Sequence, residues 1–164
     1  FATLEQNANK LTYSSTNIKS YLEDILVQLA PKLEMQMLSV QLNSTDKIIN
    51  ADLHWLARAI TNLLTNASDF ANQHIYLSAK LHEQQLIITV EDDGPGIARE
   101  NFSNVFSPFF REEAHRNRAD KSYGLGLAIV EKVADWHHGS VKVSKSTQLG
   151  GACFTLTIAQ HHNS

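Results

Sequence analysis

The stretch Leu86-Ile87-Ile88-Thr89-Val90-Glu91-Asp92-Asp93-Gly94-Pro95-Gly96-Ile97 changes character near its midpoint. Its first half is apolar or β-branched and suits the pleated, half-buried surface of a strand ending at Val90. The second half supplies carboxylates and then two glycines one residue apart, which permit positive φ and close backbone approach. An ionised Asp at a strand end can accept a hydrogen bond from an exocyclic amine such as that of adenine. A plain turn reads equally well, since Asp-Gly and Gly-Pro-type pairs mark turns widely. Just upstream, Ile75, Leu77, Ala79 and Leu81 alternate with Tyr76, Ser78 and Lys80, which predicts a partner strand turned back at Glu83–Gln85.

Working outward, Asn17 suits an N-cap, and Ile18, Tyr21, Leu22, Ile25, Leu26, Leu29 and Leu33 recur at helical spacing to about residue 34. Val40 and Leu42, then Ile48 and Asn50, suggest two short strands around the polar turn Asn43–Lys47. Asp52 is a suitable cap for a second helix, with Leu53, Leu56, Ile60, Leu63, Leu64 and Ala67 on its buried stripe. Residues 91–123 hold two of the seven glycines and two of the three prolines, and such a long irregular segment is commonly a functional lid. A third helix is predicted from about Gly126, and closing strands at about 140–145 and 153–158. Residues 1–11 read as the end of a preceding helix plus a connector, 12–160 as one domain and 161–164 as a tail. The pattern predicts an α+β two-layer sandwich, one mixed and mostly antiparallel sheet with helices on one face.

At 164 residues with 43% hydrophobic and 19% charged side chains, the chain is an ordinary globular domain, and wholesale disorder is excluded. The net charge of −3 argues against an electrostatic nucleic-acid binder. No apolar run approaches the roughly 18 residues that would insert in a bilayer. Cys153 is the single cysteine, so no intramolecular disulfide can form. The chain begins at Phe1 and is read as a piece of a longer protein.

Two further patterns bear on chemistry. Arg58, Asn62, Asn66 and Phe70 stand four residues apart on the second helix, with Asp69 three on from Asn66. Four-residue steps place them on one face, opposite the leucines. Asparagine is a poor helix former, and its amide oxygen is a hard neutral donor suited to Mg²⁺ shared with phosphate. A solvated polar face fits the same spacing. The third pattern is Gly124-Leu125-Gly126-Leu127 opening a helix, where free amides and the positive dipole end favour phosphate. It is neither a dinucleotide fingerprint, since Ile129 stands at the third glycine position, nor a P-loop, since Gly-Lys-Ser/Thr is absent from the sequence.

In this order the motifs resemble those of the ATP-binding domain of sensor histidine kinases, which has the Bergerat ATP-binding fold shared with gyrase, mismatch-repair ATPases and the heat-shock chaperone ATPase. Asn62-Leu63-Leu64-Thr65-Asn66-Ala67 resembles the N box, and Val90 to Ile97 the first glycine box. Phe106-Ser107-Pro108-Phe109-Phe110-Arg111 resembles the Phe box, and Gly124 to Val130 the second glycine box. His138-Gly139 is similar to the family's ending of the last helix, and Gly150-Gly151 before Phe154 to its final turn.

The resemblance implies ATP and Mg²⁺ as cofactors. Asp92 would read the adenine amino group, Gly96 and Ile97 would form part of the base pocket, and Asn66 with Asn62 would hold the metal. Residues 98–123 would be the lid, with Phe106 and Phe109 packing its base and Gly124, Gly126 and Leu127 meeting the phosphates. The implied nucleotide-contacting set also takes in Asp69, Phe70, Gly94, Leu125, Tyr123 and the lid cations Arg118 and Lys121; Arg111 and Arg116 are further lid cations that could offset the loss of a cation at 69. No residue is assigned a catalytic role. Hydrolytic relatives place a glutamate one turn before the metal asparagine; this chain has Asn62, which cannot accept a proton, so phosphoryl transfer to a side chain is expected over hydrolysis.

The chain departs from the family at Asp69 and Phe70, where Lys or Arg and then Tyr are common, and at Ser122, where the second glycine box begins with glycine. A carboxylate at 69 would repel a triphosphate unless it turns to solvent or approaches through the metal. The phosphoacceptor histidine is not expected here. His82-Glu83 sits at a hairpin turn, and His54, His74, His115, His137/His138 and His161/His162 are expected on the surface. Residues 1–6 resemble the end of a second dimerisation helix, which places the acceptor upstream. The implied partners are that dimerisation domain and a response regulator. The fragment is expected to be a monomer and the parent a homodimer, and the domain would face the cytoplasm below a bacterial inner-membrane receptor. Same-fold alternatives are an anti-sigma-type serine kinase and a degenerate nucleotide-binding scaffold.

Overall fold

The computed structural model describes residues 11–33, 36–42, 46–110 and 125–160. Along the chain these form β1 (Ser14–Asn17), α1 (Ile18–Leu33), β2 (Met37–Leu42), β3 (Ile48–Ala51), α2 (Leu53–Phe70), β4 (His74–His82), β5 (Gln85–Asp92), α3 (Gly126–Trp136), β6 (Ser140–Lys145) and β7 (Ala152–Ala159), with a 3-10 turn at Arg99–Asn101. Both caps expected from sequence are made. The Asn17 Oδ1 accepts from the Ser20 amide at 3.0 Å, and the Asp52 Oδ1 from the Trp55 amide at 3.1 Å. α3 ends where His138 turns to φ 58° and the Gly139 amide returns to the Ala134 carbonyl at 2.8 Å. A side chain at 139 would run into the Thr157 carbonyl, so only glycine fits there.

The main sheet has five strands in the order β2-β4-β5-β7-β6, antiparallel except where β2 lies parallel to β4. Alternation along β5 turns Leu86, Ile88 and Val90 to the helical layer, where they meet Leu56, Ile60, Leu63, Leu64, Val130 and Val133 in one continuous core. α2 lies against β5, α3 against β6 and β7, and α1 beside α2. The opposite face is polar; one cross-strand row reads Ser39, Tyr76, Glu91, Cys153, Ser144. The two-layer α+β sandwich is therefore as the pattern predicts, and no described helix is long and apolar enough to cross a membrane.

Three details refine the sequence reading. The two strands expected on either side of residues 43–47 are present, but in different sheets. β2 joins the main sheet because Leu38, Val40 and Leu42 lie in register with Ile75, Leu77 and Ala79, while β3 pairs with β1 in a separate two-stranded sheet. β1 itself was not expected; its polar Ser-Ser-Thr-Asn sequence carries no strand pattern. The hairpin turn is Glu83–Gln84 alone, with both residues at positive φ (50° and 63°), which matches the twist of the flanking strands.

Candidate functional site

At the end of β5 three successive carboxylates point three ways. Asp92 faces the helical layer and is only 2% exposed. Its Oδ1 accepts from the Gly94 amide at 2.8 Å and the Ala152 amide at 3.4 Å. Burial pushes its pKa above the ordinary 3.8, these amides oppose the shift, and the neighbouring Asp93 charge adds to it. Glu91, on the other face, accepts from the Ser146 hydroxyl and the Gln148 amide, each at 2.8 Å. Asp93 turns sideways to the connection between α2 and β4. There it accepts from the Asn72 amide at 2.8 Å, the Gln73 amide at 3.0 Å and the His74 Nδ1 at 3.1 Å. Burial would raise the Asp93 pKa, but the bonds from Gln73, His74 and Asn72 together hold it below the ordinary carboxylate value.

Glycines bring the surrounding pieces into contact. A Cβ on Gly94 would overlap the Phe70 carbonyl, and one on Gly151 would overlap both the Asp92 carbonyl and its Oδ1. The end of α2, the end of β5 and the turn before β7 thus meet at one point, joined further by the bond from the Gly151 amide to the Asp92 carbonyl (3.0 Å). Gly96 has φ 77°, and half-buried Ile97 packs against the core beyond it.

The helix whose last residue meets this corner, α2, also carries the two asparagines. The Asn62 Nδ2 donates to the Gly126 carbonyl at 3.2 Å, fixing the start of α3 beside α2. Asn66, one turn on, is half-buried and has no side-chain hydrogen bond to another described residue. α3 begins with Leu125 as N-cap, with no side-chain cap. Its first amides, at Gly126, Leu127 and Ala128, have no intrahelical acceptor, an arrangement that suits an anion. Amide oxygens are neutral hard donors that suit Mg²⁺ shared with phosphate oxygens, and no cluster of three or more His, Cys, Asp or Glu among the described residues offers an all-protein cage.

Several expected residues lie elsewhere. The Asp69 carboxylate, 7% exposed, turns to α1 and pairs with Lys32 Nζ at 3.5 Å, not to open solvent. Arg58 stacks over Trp55, 5.5 Å from its ring centre. Phe106 is buried edge-on to Phe154, as a packing role requires, whereas Phe109 is 67% exposed. Positive φ at Phe109 (65°) reverses the chain there, and Phe110 packs on the core in its place. Arg111, Arg116, Arg118, Lys121, Ser122, Tyr123 and Gly124 lie outside the described residues.

The largest correction concerns His137, which is fully buried and not on the surface. Its Nδ1–H donates to the Val133 carbonyl at 2.7 Å, and its Nε2 accepts from the Asp52 amide at 3.0 Å. The ring must be neutral to do both, and burial holds its pKa below the ordinary 6.5. A signal was present: His137 follows Val130, Val133 and Ala134 on the buried stripe of α3.

Residues 51–162 match the family model of histidine kinase-, DNA gyrase B- and HSP90-like ATPases. The chain belongs to this family. It is 31% identical over 163 residues, 99% of its length, to the sensor protein RstB of Escherichia coli K12, of which it covers 37%. It is 38% identical over 109 residues, 66% of its length, to the sensor histidine kinase CpxA of the same organism, of which it covers 24%. The chain thus spans well under half of these relatives' lengths. Among solved structures, the catalytic domain of histidine kinase ThkA superposes with TM-score 0.80 at 21% identity, covering 92% of this chain and 97% of that one. The Acinetobacter baumannii histidine kinase AdeS superposes with TM-score 0.77 at 24% identity, covering 98% of this chain and 75% of that one. The family's fold is an ATP-binding one, and it is the fold this chain adopts.

Proposed function

We propose that this domain binds Mg·ATP and presents its γ-phosphoryl group to a histidine on an adjoining dimerisation domain, from which it passes to a response-regulator aspartate. The observation that supports the reading is that one helix, α2, meets the loop after buried Asp92 at its last residue, Phe70, and bonds the uncapped start of α3 through Asn62. Both bonds to the Asp92 carboxylate fall on Oδ1, so Oδ2 is the oxygen assigned to the adenine amino group. Asn66, with Asn62, would hold Mg²⁺, which neutralises phosphate charge when bound. The amides of Gly126 and Leu127 would orient the phosphates.

Asn62 stands where a hydrolase of this family carries its base. An amide cannot take a proton from water, and its Nδ2 already donates to Gly126. Catalysis then consists of positioning and charge stabilisation: an acceptor imidazole nitrogen forms the new bond to phosphorus as the bond to the leaving ADP oxygen breaks. The parent is read as a homodimeric bacterial inner-membrane receptor with this domain in the cytoplasm, and the fragment alone as a monomer.

The test is calorimetric titration with ATP and GTP, with and without Mg²⁺. Saturable, magnesium-dependent binding that prefers ATP is expected. Because Asp92 must be ionised to accept from an amine and its pKa is raised, affinity should fall as pH drops toward a value above 3.8. No binding at millimolar ATP would overturn the reading in favour of a degenerate scaffold of the same fold.

A further inference from the structure

The bonds around Asp93 reach beyond its own loop. The residues it grips, Asn72, Gln73 and His74, lead from the C-cap Ala71 into β4, directly behind α2, the helix that carries Asn62 and Asn66. The grip is reciprocal: the Asn72 side chain donates back to the Asp93 carbonyl at 2.9 Å, and the Asp93 amide donates to the His74 carbonyl at 3.3 Å. On the next residue, Gly94 leaves room for the Phe70 carbonyl. The last turn of α2 has no basic side chain, and its C-cap is made by the Ala71 backbone amide alone. Asp93 therefore ties the connection that leaves that helix to the loop that follows Asp92.

From this arrangement we infer that Asp93 is a positioning residue, which fixes the adenine-reading carboxylate of Asp92 relative to the asparagine face of α2 without touching nucleotide. The geometry asks for one oxygen that accepts the Asn72 and Gln73 amides together, as the Asp93 Oδ1 does. With Asp93 truncated, the α2–β4 connection and the 92–94 loop lose their shared acceptor, and Asp92 can shift relative to Asn66. A shift of about 1 Å is enough to cost on the order of a hundredfold where geometry matters. Asparagine at 93 keeps one oxygen for the Asn72 and Gln73 amides.

The inference rests on the nucleotide-binding reading, so wild-type binding of ATP is measured first. Its failure would sink that reading, whereas the variants judge only Asp93. Displacement of a fluorescent ATP analogue by ATP and by GTP gives both affinities for wild type, Asp93→Ala and Asp93→Asn, below each variant's unfolding temperature. Asp93→Ala should weaken Mg·ATP at least tenfold and draw the ATP-to-GTP ratio toward one, and Asp93→Asn should stay within threefold of wild type on both. An Asp93→Ala variant that melts lower yet keeps its ATP affinity and ATP-to-GTP ratio would reduce Asp93 to a structural residue and overturn the inference. Loss of affinity with the ratio intact would overturn it too, as would an Asn variant as impaired as the Ala one.

Discussion

The two ends of the α2–α3 pair are built on opposite terms. At one end, the start of α2 meets the end of α3 in a closed knot. Asp52 caps its helix, its Oδ2 accepts from the Thr12 amide at 2.8 Å, and its own amide donates to buried His137. Trp55 packs edge-on to Trp136, and Tyr13 covers His137. At the other end, the last turns of α2 and the first turn of α3 carry half-buried asparagines, Gly126 and a helix start with no side-chain cap. Groups satisfied within the protein stabilise the fold; groups left for a ligand do not. One helix pair thus separates what holds the domain together from what it can grip.

The sharpest way to break the closed end is Gly139→Ala. Its Cβ would run into the Thr157 carbonyl, and a backbone clash in a packed turn should cost at least about 3 kcal/mol, measured by denaturant unfolding. His137→Ala comes next, at about 2–3 kcal/mol, from a cavity plus two abandoned hydrogen bonds. It also carries a pH signature. Since the folded pKa lies below 6.5, the neutral ring's contribution is present above that value and is lost as pH falls through it toward the folded pKa. Wild type should therefore lose stability relative to the variant in mildly acidic solution, and parallel stability curves would remove His137 as the cause.

At the open end, Asn66→Ala should change stability by less than about 0.5 kcal/mol while abolishing the magnesium dependence of ATP binding. Unchanged dependence would take Asn66 out of the metal's reach. The smallest effect on nucleotide binding is expected from Asp69→Lys. The carboxylate removed is nearly buried against Lys32, so the charge reversal lowers stability, and binding is compared below the variant's unfolding temperature. ATP affinity should move less than threefold, because position 69 faces α1; a marked tightening would bring it back into the site.

This division also explains what was legible in the sequence. The open end announces itself through residue types that packing does not explain: stacked asparagines, paired glycines, an aspartate closing an apolar strand. The three helices and the β4–β5 hairpin follow from periodicity and caps. The closed end is quieter, because a histidine at 137 reads the same whether it is wet or dry until the stripe of α3 is extended one turn. Strand partners were hidden too. The pattern of β2 fixes which face is buried, but not that it pairs in parallel with β4, and a polar strand such as β1 leaves no mark. Asp93 and Glu91 were overshadowed by Asp92, although alternation along β5 already sends Glu91 to the opposite face.

The hairpin at Glu83–Gln84 carries a consequence for working with this domain. Two residues that are neither glycine nor asparagine hold positive φ there, a conformation that costs roughly 1–2 kcal/mol per residue. By strand rise the turn stands roughly 25 Å along β5 from Asp92. Replacing the pair with Asn-Gly should raise the melting temperature by several degrees and leave ATP affinity unchanged. That gain is a reserve: on such a background, site variants too fragile to purify could be compared at equal folded fraction, and a loss of binding could be told apart from a loss of protein.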